Sequence, residues 1–250
     1  MKNISLAIFD LSGTTVFDDN AVAKCLYQGA SHFGLQTTIE DFEKTIGTNK
    51  IHLYEFMIAR DHGEQVQIEN LEQYRFPRYH EKAMEIFRYY SILMIDHYRK
   101  EVKAIPGAED TFRWCHENEI KVVTDTGFHK DVNIAVMDGL QWIERGLVDF
   151  ALDVEDTFEI GRPAPYMIFK AMLMTHVQSV HEVIKIGDTP ADLLSGYNAG
   201  CRGNIGVLSG ANSLETLRIY PHTHIIKSVA DLPKLITTAF NGTPSKLKLT

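Results

Sequence analysis

Leu6-Ala7-Ile8-Phe9-Asp10-Leu11-Ser12-Gly13-Thr14-Thr15-Val16 decides how this chain folds. The apolar run Leu6 to Phe9 has the length of a buried strand, and it stops on a carboxylate. A strand of that kind delivers Asp10 to the carboxyl edge of a parallel sheet, where open α/β folds bind their ligands. Gly13 lets the backbone turn back sharply, and Thr14 and Thr15 offer hydroxyl and amide donors to an anion. Taken alone, Asp10 reads more readily as a satisfied turn residue than as a nucleophile, so the case for chemistry rests on partners further along.

Beyond Val16 the hydrophobic period becomes helical and stays so for about 85 residues. Asp19 is expected to cap a first helix running toward Gly34, and Thr38 with Asp41 a second. A third runs from Asn49 to Arg60, and Pro77 opens a long one in which Ile86, Tyr89, Tyr90 and Leu93 recur at helical spacing. Ile105-Pro106-Gly107 ends this insert. From there apolar runs at Ile120–Thr124, Phe150–Val154, Val183–Gly187, Gly203–Leu208 and Thr223–Ile226 alternate with amphipathic helices, the pattern of a parallel sheet covered on both faces. Gly139 and Gly200 fall where helix ends call for a left-handed residue, and the polar tail after Gly242 reads as frayed. The expectation is an α/β core from residues 1–16 and 104–250, with an all-helical cap, 17–103, as a lid over the sheet's carboxyl edge.

The 250 residues are 44% hydrophobic, enough for a substantial core. Twenty-five Lys and Arg against 33 Asp and Glu give a net charge of −8, which argues against a nucleic-acid surface. No segment approaches the roughly 20 apolar residues of a membrane span. Met1-Lys2-Asn3-Ile4 runs into strand-like sequence with no leader pattern, and Cys25, Cys115 and Cys201 form no CxxC pair. The chain reads as cytoplasmic, with room for a homodimer.

Three further strand ends carry polar groups. Thr124 is followed by Asp125-Thr126-Gly127-Phe128, where a hydroxyl and a helix start could hold phosphate oxygens, although taken alone Thr124 reads more readily as an ordinary helix cap. Gly161-Arg162-Pro163-Ala164-Pro165-Tyr166 fixes a guanidinium on a stiff loop, suited to screening a carboxylate beside a phosphate or simply solvated. Gly187-Asp188-Thr189-Pro190-Ala191-Asp192 sets two carboxylates at a strand-to-helix junction. Asp192 is explained by capping; Asp188 is left to converge with Asp10 on a hard cation such as Mg²⁺.

In this order the four motifs resemble the haloacid dehalogenase superfamily. DLSGTTV, the TGF after Asp125, GRPAPYMIF and GDTPADLLSGYNAG are similar to its phosphonoacetaldehyde hydrolase branch. The resemblance implies a Rossmann-like core, an aspartyl-phosphate intermediate and a small phosphonate or phosphorylated substrate. It further implies that Asp10 attacks phosphorus and that Asp10, the Ser12 carbonyl and Asp188 hold Mg²⁺, with Asp192 behind them. Thr14, Thr124, Asp125, Thr126, Gly127 and Arg162 would surround the phosphoryl group. Gly47-Thr48-Asn49-Lys50 resembles a lid loop whose lysine forms a Schiff base with an aldehyde, so Lys50 is either that amine or an electrostatic anchor for anions. Ser12 stands where phosphatases of the superfamily keep an acid, and a serine hydroxyl does not protonate a leaving oxygen near neutral pH. Two other readings stay open: a phosphomonoesterase without that acid, and a phosphometabolite-binding protein without turnover. His52, His129, His222 and His224 read as surface histidines.

Overall fold

The computed structural model describes residues 4–240, apart from the side chain of Glu72, so the tail after Gly242 lies outside the described residues. β1 (Leu6–Asp10) is buried at all five positions, which is why it reads as a continuous apolar run and not as an alternating one. The insert follows, with α1 (Ala21–His32), α2 (Ile39–Glu43), α3 (Lys50–Asp61) and α4 (His80–Lys100). After it come α5 (Ala108–Glu117), β2 (Lys121–Asp125), α6 (Lys130–Leu140), β3 (Phe150–Leu152), α7 (Tyr166–Thr175), β4 (Val183–Gly187), α8 (Pro190–Ala199), β5 (Gly203–Val207), α9 (Leu214–Leu217), β6 (His224–Ile226) and α10 (Leu232–Leu235).

All six strands are parallel, in the order β3-β2-β1-β4-β5-β6. The chain builds outward from β1 on one side and then restarts beside it with β4, so the direction of winding reverses between β1 and β4. Ligands of open α/β sheets bind at such a reversal, and Asp10 and Asp188 both leave the sheet there. Ala7, Phe9 and Val122 face one core with α5, while Leu6, Ile8 and Val123 face another with Met167 and Ile168 of α7.

The insert joins the core through paired backbone. Phe17 N donates to Lys103 O (2.8 Å) and Ile105 N to Thr15 O (2.8 Å), so its two connections run side by side. Its buried Phe42, Leu53, Tyr54, Phe56, Ile86 and Tyr90 belong to the same hydrophobic cluster as the α5 side of the sheet. No helix among the described residues is long and apolar enough to cross a membrane.

Two details differ from the sequence reading. Asp18, and not Asp19, receives the first amide of α1, with Oδ1 2.5 Å from Ala21 N; Asp19 instead pairs with Lys24. Gly139 lies inside α6, where a Cβ would collide with Val102 Cγ1, so close approach to the insert explains the glycine and helix termination does not. Gly200 does take the left-handed conformation at the end of α8 (φ 79°).

Candidate active site

The turn after β1 is tied to itself. Leu11 O accepts from the amides of Thr14, Thr15 and Val16 at 2.8–3.1 Å, and Gly13 adopts φ 82°. A Cβ on Gly13 would lie 2.7 Å from Asp188 Oδ2, and one on Gly210 would overlap the same carboxylate, so two glycines make room for Asp188. Thr14 Oγ1 donates to Asp188 Oδ1 (3.1 Å) and Ala211 N donates to Oδ2 (2.7 Å). The Thr14 hydroxyl is therefore committed to Asp188, and the amides of Thr14 and Thr15 to Leu11, where the sequence suggested an anion.

The register places Asp125 directly beside Asp10. Strand β2 ends on Asp125, one residue later than the sequence suggests, and because side chains alternate, Thr124 lies on the opposite face of the sheet from Asp125 and Asp10. Thr124 pairs with Phe9, whose ring meets Phe112 at 5.1 Å, and the buried Thr124 hydroxyl has no hydrogen-bond partner. It does not line the cavity described below, whereas Thr126 does.

Two cations knit the carboxylates together. Arg162 Nη1 donates to Asp10 Oδ1 (2.7 Å) and to Asp192 Oδ1, and lies 3.8 Å from Asp125 Oδ1. Lys185 Nζ donates to Asp125 Oδ1 (2.7 Å) and Asp192 Oδ1 (2.8 Å). Asp192 Oδ2 also takes the Thr189 hydroxyl at 2.5 Å in a capping box that starts α8. Burial alone would raise Asp192, but Arg162 and Lys185 hold it at about 2. Asp10 is pushed up to about 6 by burial, against the pull of Arg162. Asp188 is raised well above the carboxylate range by burial and by the charges of Asp10 and Asp192.

The sequence reading missed Lys185. The signal was available: Val183-Ile184-Lys185-Ile186 places one lysine inside an otherwise apolar strand, and a buried ammonium must be paired. Lys185→Met is expected to lower stability by about 3–5 kcal/mol in urea unfolding, because two buried carboxylates lose their shared cation. A loss below about 1 kcal/mol would show that Arg162 suffices for both.

Lys50 closes the site from the insert. Asn49 Oδ1 accepts from the amides of Ile51 and His52 (3.0 Å each), starting α3 so that its first residue faces the sheet edge. Lys50 is 9% exposed and its Nζ donates to Thr48 O at 2.9 Å. Burial, reinforced by the Arg162 charge, pushes its pKa down to about 8. Asp10, Ser12, Lys50, Thr126, Gly127 and Arg162 line one cavity of about 40 Å³, the room of a water or two. Ser12 Oγ donates to Asp18 Oδ2 (2.8 Å), and Phe128 and Thr189 complete the wall.

The histidines divide. His222 is exposed, and His224 is half-buried with its imidazole pKa lowered, first by burial and then by His222. His52 and His129 are half-buried and partnered, which the surface reading did not anticipate. His129 packs against Phe87 with the rings tilted at 52° (centroids 4.4 Å) and its Nε2 3.3 Å from Glu159.

The Haloacid dehalogenase-like hydrolase family model matches residues 7–204, most of the chain and every motif above. The chain is a haloacid dehalogenase-like hydrolase. The phosphonoacetaldehyde hydrolase of Bacteroides fragilis is 25% identical to it over 262 residues, covering 94% of this chain and 97% of that one. That of Bacillus cereus strain G9842 is 28% identical over 218 residues, covering 84% and 78%. The crystal structure of a phosphonoacetaldehyde hydrolase-like protein from Oleispira antarctica superposes with a TM-score of 0.75 at 20% identity, covering 94% of this chain and 92% of that one, a likeness of fold. This haloacid dehalogenase-like hydrolase thus resembles phosphonoacetaldehyde hydrolase, and as an enzyme it leaves no place for the reading without turnover.

Asp10, Asp125 and Asp192 present carboxylate oxygens within 4.8 Å of one another, a buried triad that could hold a metal ion. The donors suit a hard cation. Among the described residues the cations that hydrogen-bond these four buried carboxylates, counting Asp188, are Arg162 and Lys185, and Asp125 Oδ2 has no hydrogen-bond partner. Burial first, and then the charges of Asp10 and Asp192, raise the Asp188 pKa, so a cation bound beside it would relieve part of the cost.

Proposed function

We propose that this hydrolase cleaves the carbon–phosphorus bond of a small phosphonate bearing a carbonyl, with Asp10 as nucleophile and Lys50 as the imine-forming amine. The observation that carries the reading is one cavity lined by a buried lysine of pKa about 8, Asp10 and Arg162. A lysine with that pKa is neutral often enough near neutral pH to condense with a carbonyl, whereas an ordinary lysine is not. Condensation releases water and leaves an imine on Nζ. When Asp10 Oδ attacks phosphorus, the carbon–phosphorus pair flows into the protonated imine as an enamine. Water then hydrolyses the acyl phosphate, and the enamine returns through the imine to free lysine and a carbonyl product. No leaving oxygen needs a proton in this scheme, which accounts for Ser12 at a position where oxygen leaving groups call for an acid.

Arg162, fixed by Asp192, holds Asp10 and is placed to meet phosphoryl oxygens, with Thr126 and Gly127 on the adjoining wall. We assign Mg²⁺ to Asp10, the Ser12 carbonyl and Asp188, because Arg162 and Lys185 already occupy the interior of the aspartate triad. Mg²⁺ bound there supplies charge neutralisation between the nucleophile and the phosphoryl group. Asp188→Ala is expected to raise the Mg²⁺ concentration for half-maximal activity at least about tenfold. An unchanged Mg²⁺ dependence would remove Asp188 as a ligand. Residues 17–103 are proposed to act as one cap whose opening admits substrate, since a 40 Å³ cavity is too small to be entered while closed.

A phosphomonoesterase is the second reading, favoured by one contact: Asp18, through the Ser12 hydroxyl, is a single hydrogen bond from the cavity. Products separate the two. Phosphate released with an aldehyde or ketone from phosphonates supports the proposal; phosphate with an alcohol from esters, and none from phosphonates, would replace it.

A further inference from the structure

The two halves of the reaction ask opposite things of a proton. While the bond to phosphorus breaks in the first half, no leaving oxygen needs one. In the second half water attacks the phosphorus of the acyl phosphate and must give a proton up, and the departing Asp10 carboxylate takes none. A group on the cavity wall has to receive it.

The hydrogen bonds of that wall narrow the choice. Arg162 has no acceptor atom and already serves Asp10 and Asp192. Lys50 carries the enamine at this stage and has no free amine to offer. Thr126 Oγ1 accepts from Phe128 N (3.2 Å), and the Thr189 hydroxyl donates to Asp192 Oδ2, a carboxylate already paired with Arg162 and Lys185. Ser12 differs from both threonines. Its Oγ donates to Asp18 Oδ2 (2.8 Å), so toward the cavity it lines the hydroxyl presents lone pairs. Asp18 is fixed through its other oxygen, Oδ1, which accepts from Ala21 N (2.5 Å) at the start of α1, and it forms no salt bridge among the described residues. It is half-buried, open enough to return a proton to solvent.

We propose that Ser12 and Asp18 form the proton path of the second half-reaction, with Ser12 as a catalytic residue that takes the proton of the attacking water and Asp18 as the positioning residue that orients its hydroxyl. The water oxygen bonds to phosphorus as the bond between phosphorus and Asp10 Oδ breaks. One water proton passes to Ser12 Oγ, the proton that Oγ held passes to Asp18 Oδ2, inorganic phosphate leaves, and Asp10 regains its carboxylate. The proposal rests on Asp10 as nucleophile, the part of the functional reading that phosphonate and phosphate-ester substrates share.

Exchange of heavy oxygen from labelled water into inorganic phosphate runs this half-reaction in both directions and needs no organic substrate. The full-length chain with Mg²⁺ is expected to catalyse the exchange, and Asp10→Asn to abolish it. Asp18→Asn keeps the oxygen that caps α1 but turns an N–H toward Ser12, and Ser12→Ala removes the hydroxyl while keeping the backbone carbonyl. Each is expected to slow exchange about a hundredfold or more. Phosphate affinity, measured by calorimetry on the same variants, is expected to weaken by no more than about twofold; a merely structural role would lower both together. Exchange within about threefold of wild type in either variant, with Asp10→Asn still inactive, overturns the proton path alone. Exchange that survives Asp10→Asn removes the nucleophile on which the path rests, and absence of exchange in the wild-type chain removes both.

Discussion

Replacing Asp10 with asparagine is expected to lower kcat by about four orders of magnitude or more, without loss of thermal stability. The amide is nearly isosteric but cannot form an acyl phosphate, and loss of a nucleophile removes a whole reaction path, not one contact. The stability half of the prediction comes from charge. Asp10 sits in a buried group where carboxylates outnumber cations, and its charge is one of those that raise Asp188. Removing it leaves Asp125 and Asp192 matched by Arg162 and Lys185, so the melting temperature should stay level or rise. A variant that keeps more than about a hundredth of wild-type turnover would exclude Asp10 as nucleophile. One that loses activity only because it unfolds would contradict the charge accounting.

Lys50→Met is expected to abolish carbon–phosphorus cleavage and at the same time stabilise the fold. The drop of the Lys50 pKa from 10.5 to about 8 corresponds to roughly 3 kcal/mol of unfavourable burial at neutral pH. Methionine fills similar volume without that charge, at the loss of the hydrogen bond to Thr48 O. A gain of about 1–3 kcal/mol in urea unfolding at pH 7 follows. The sign with pH is fixed: between about 8 and 10.5 the unfolded chain holds a proton that the folded chain has lost, so wild-type stability rises through that window. The variant should lack this rise. Activity in the wild type should climb toward a plateau above about pH 8 as the amine becomes neutral. Lys50→Arg separates chemistry from charge, because arginine screens a phosphate but cannot condense with a carbonyl. Substantial activity in Lys50→Arg would move the assignment to the phosphomonoesterase reading.

Much of this was legible because the decisive signals are abrupt. An apolar strand that stops on Asp10, a guanidinium followed by two closely spaced prolines and a GDTPAD junction state their positions without needing contacts. The misreadings arose where one residue of register or one side-chain partner decides. Taking Thr124 and not Asp125 as the last residue of β2 put the wrong side chain beside Asp10, so Thr124 was credited with a phosphate contact although it lies on the Phe9 face. Thr14 was read as an anion donor because its partner Asp188 is 174 residues away. Asp18 and Asp19 are equivalent as caps in sequence, and only the chain path, with Asn20 left-handed at φ 64°, selects Asp18. Lys185 belongs to a network spread over β2, β4, α8 and the Arg162 loop, and a single strand reveals only that such a lysine needs partners. His129 looked solvated because its partners, Phe87 and Glu159, come from the insert and from a distant loop.

The pairing of a nucleophilic aspartate with an imine-forming lysine in one cavity is tested most directly by borohydride reduction in the presence of acetaldehyde, followed by peptide mass mapping. The account predicts an ethyl group on Lys50, formed ahead of the exposed lysines and suppressed in Lys50→Arg. Lys50 left unmodified while exposed lysines react would contradict it.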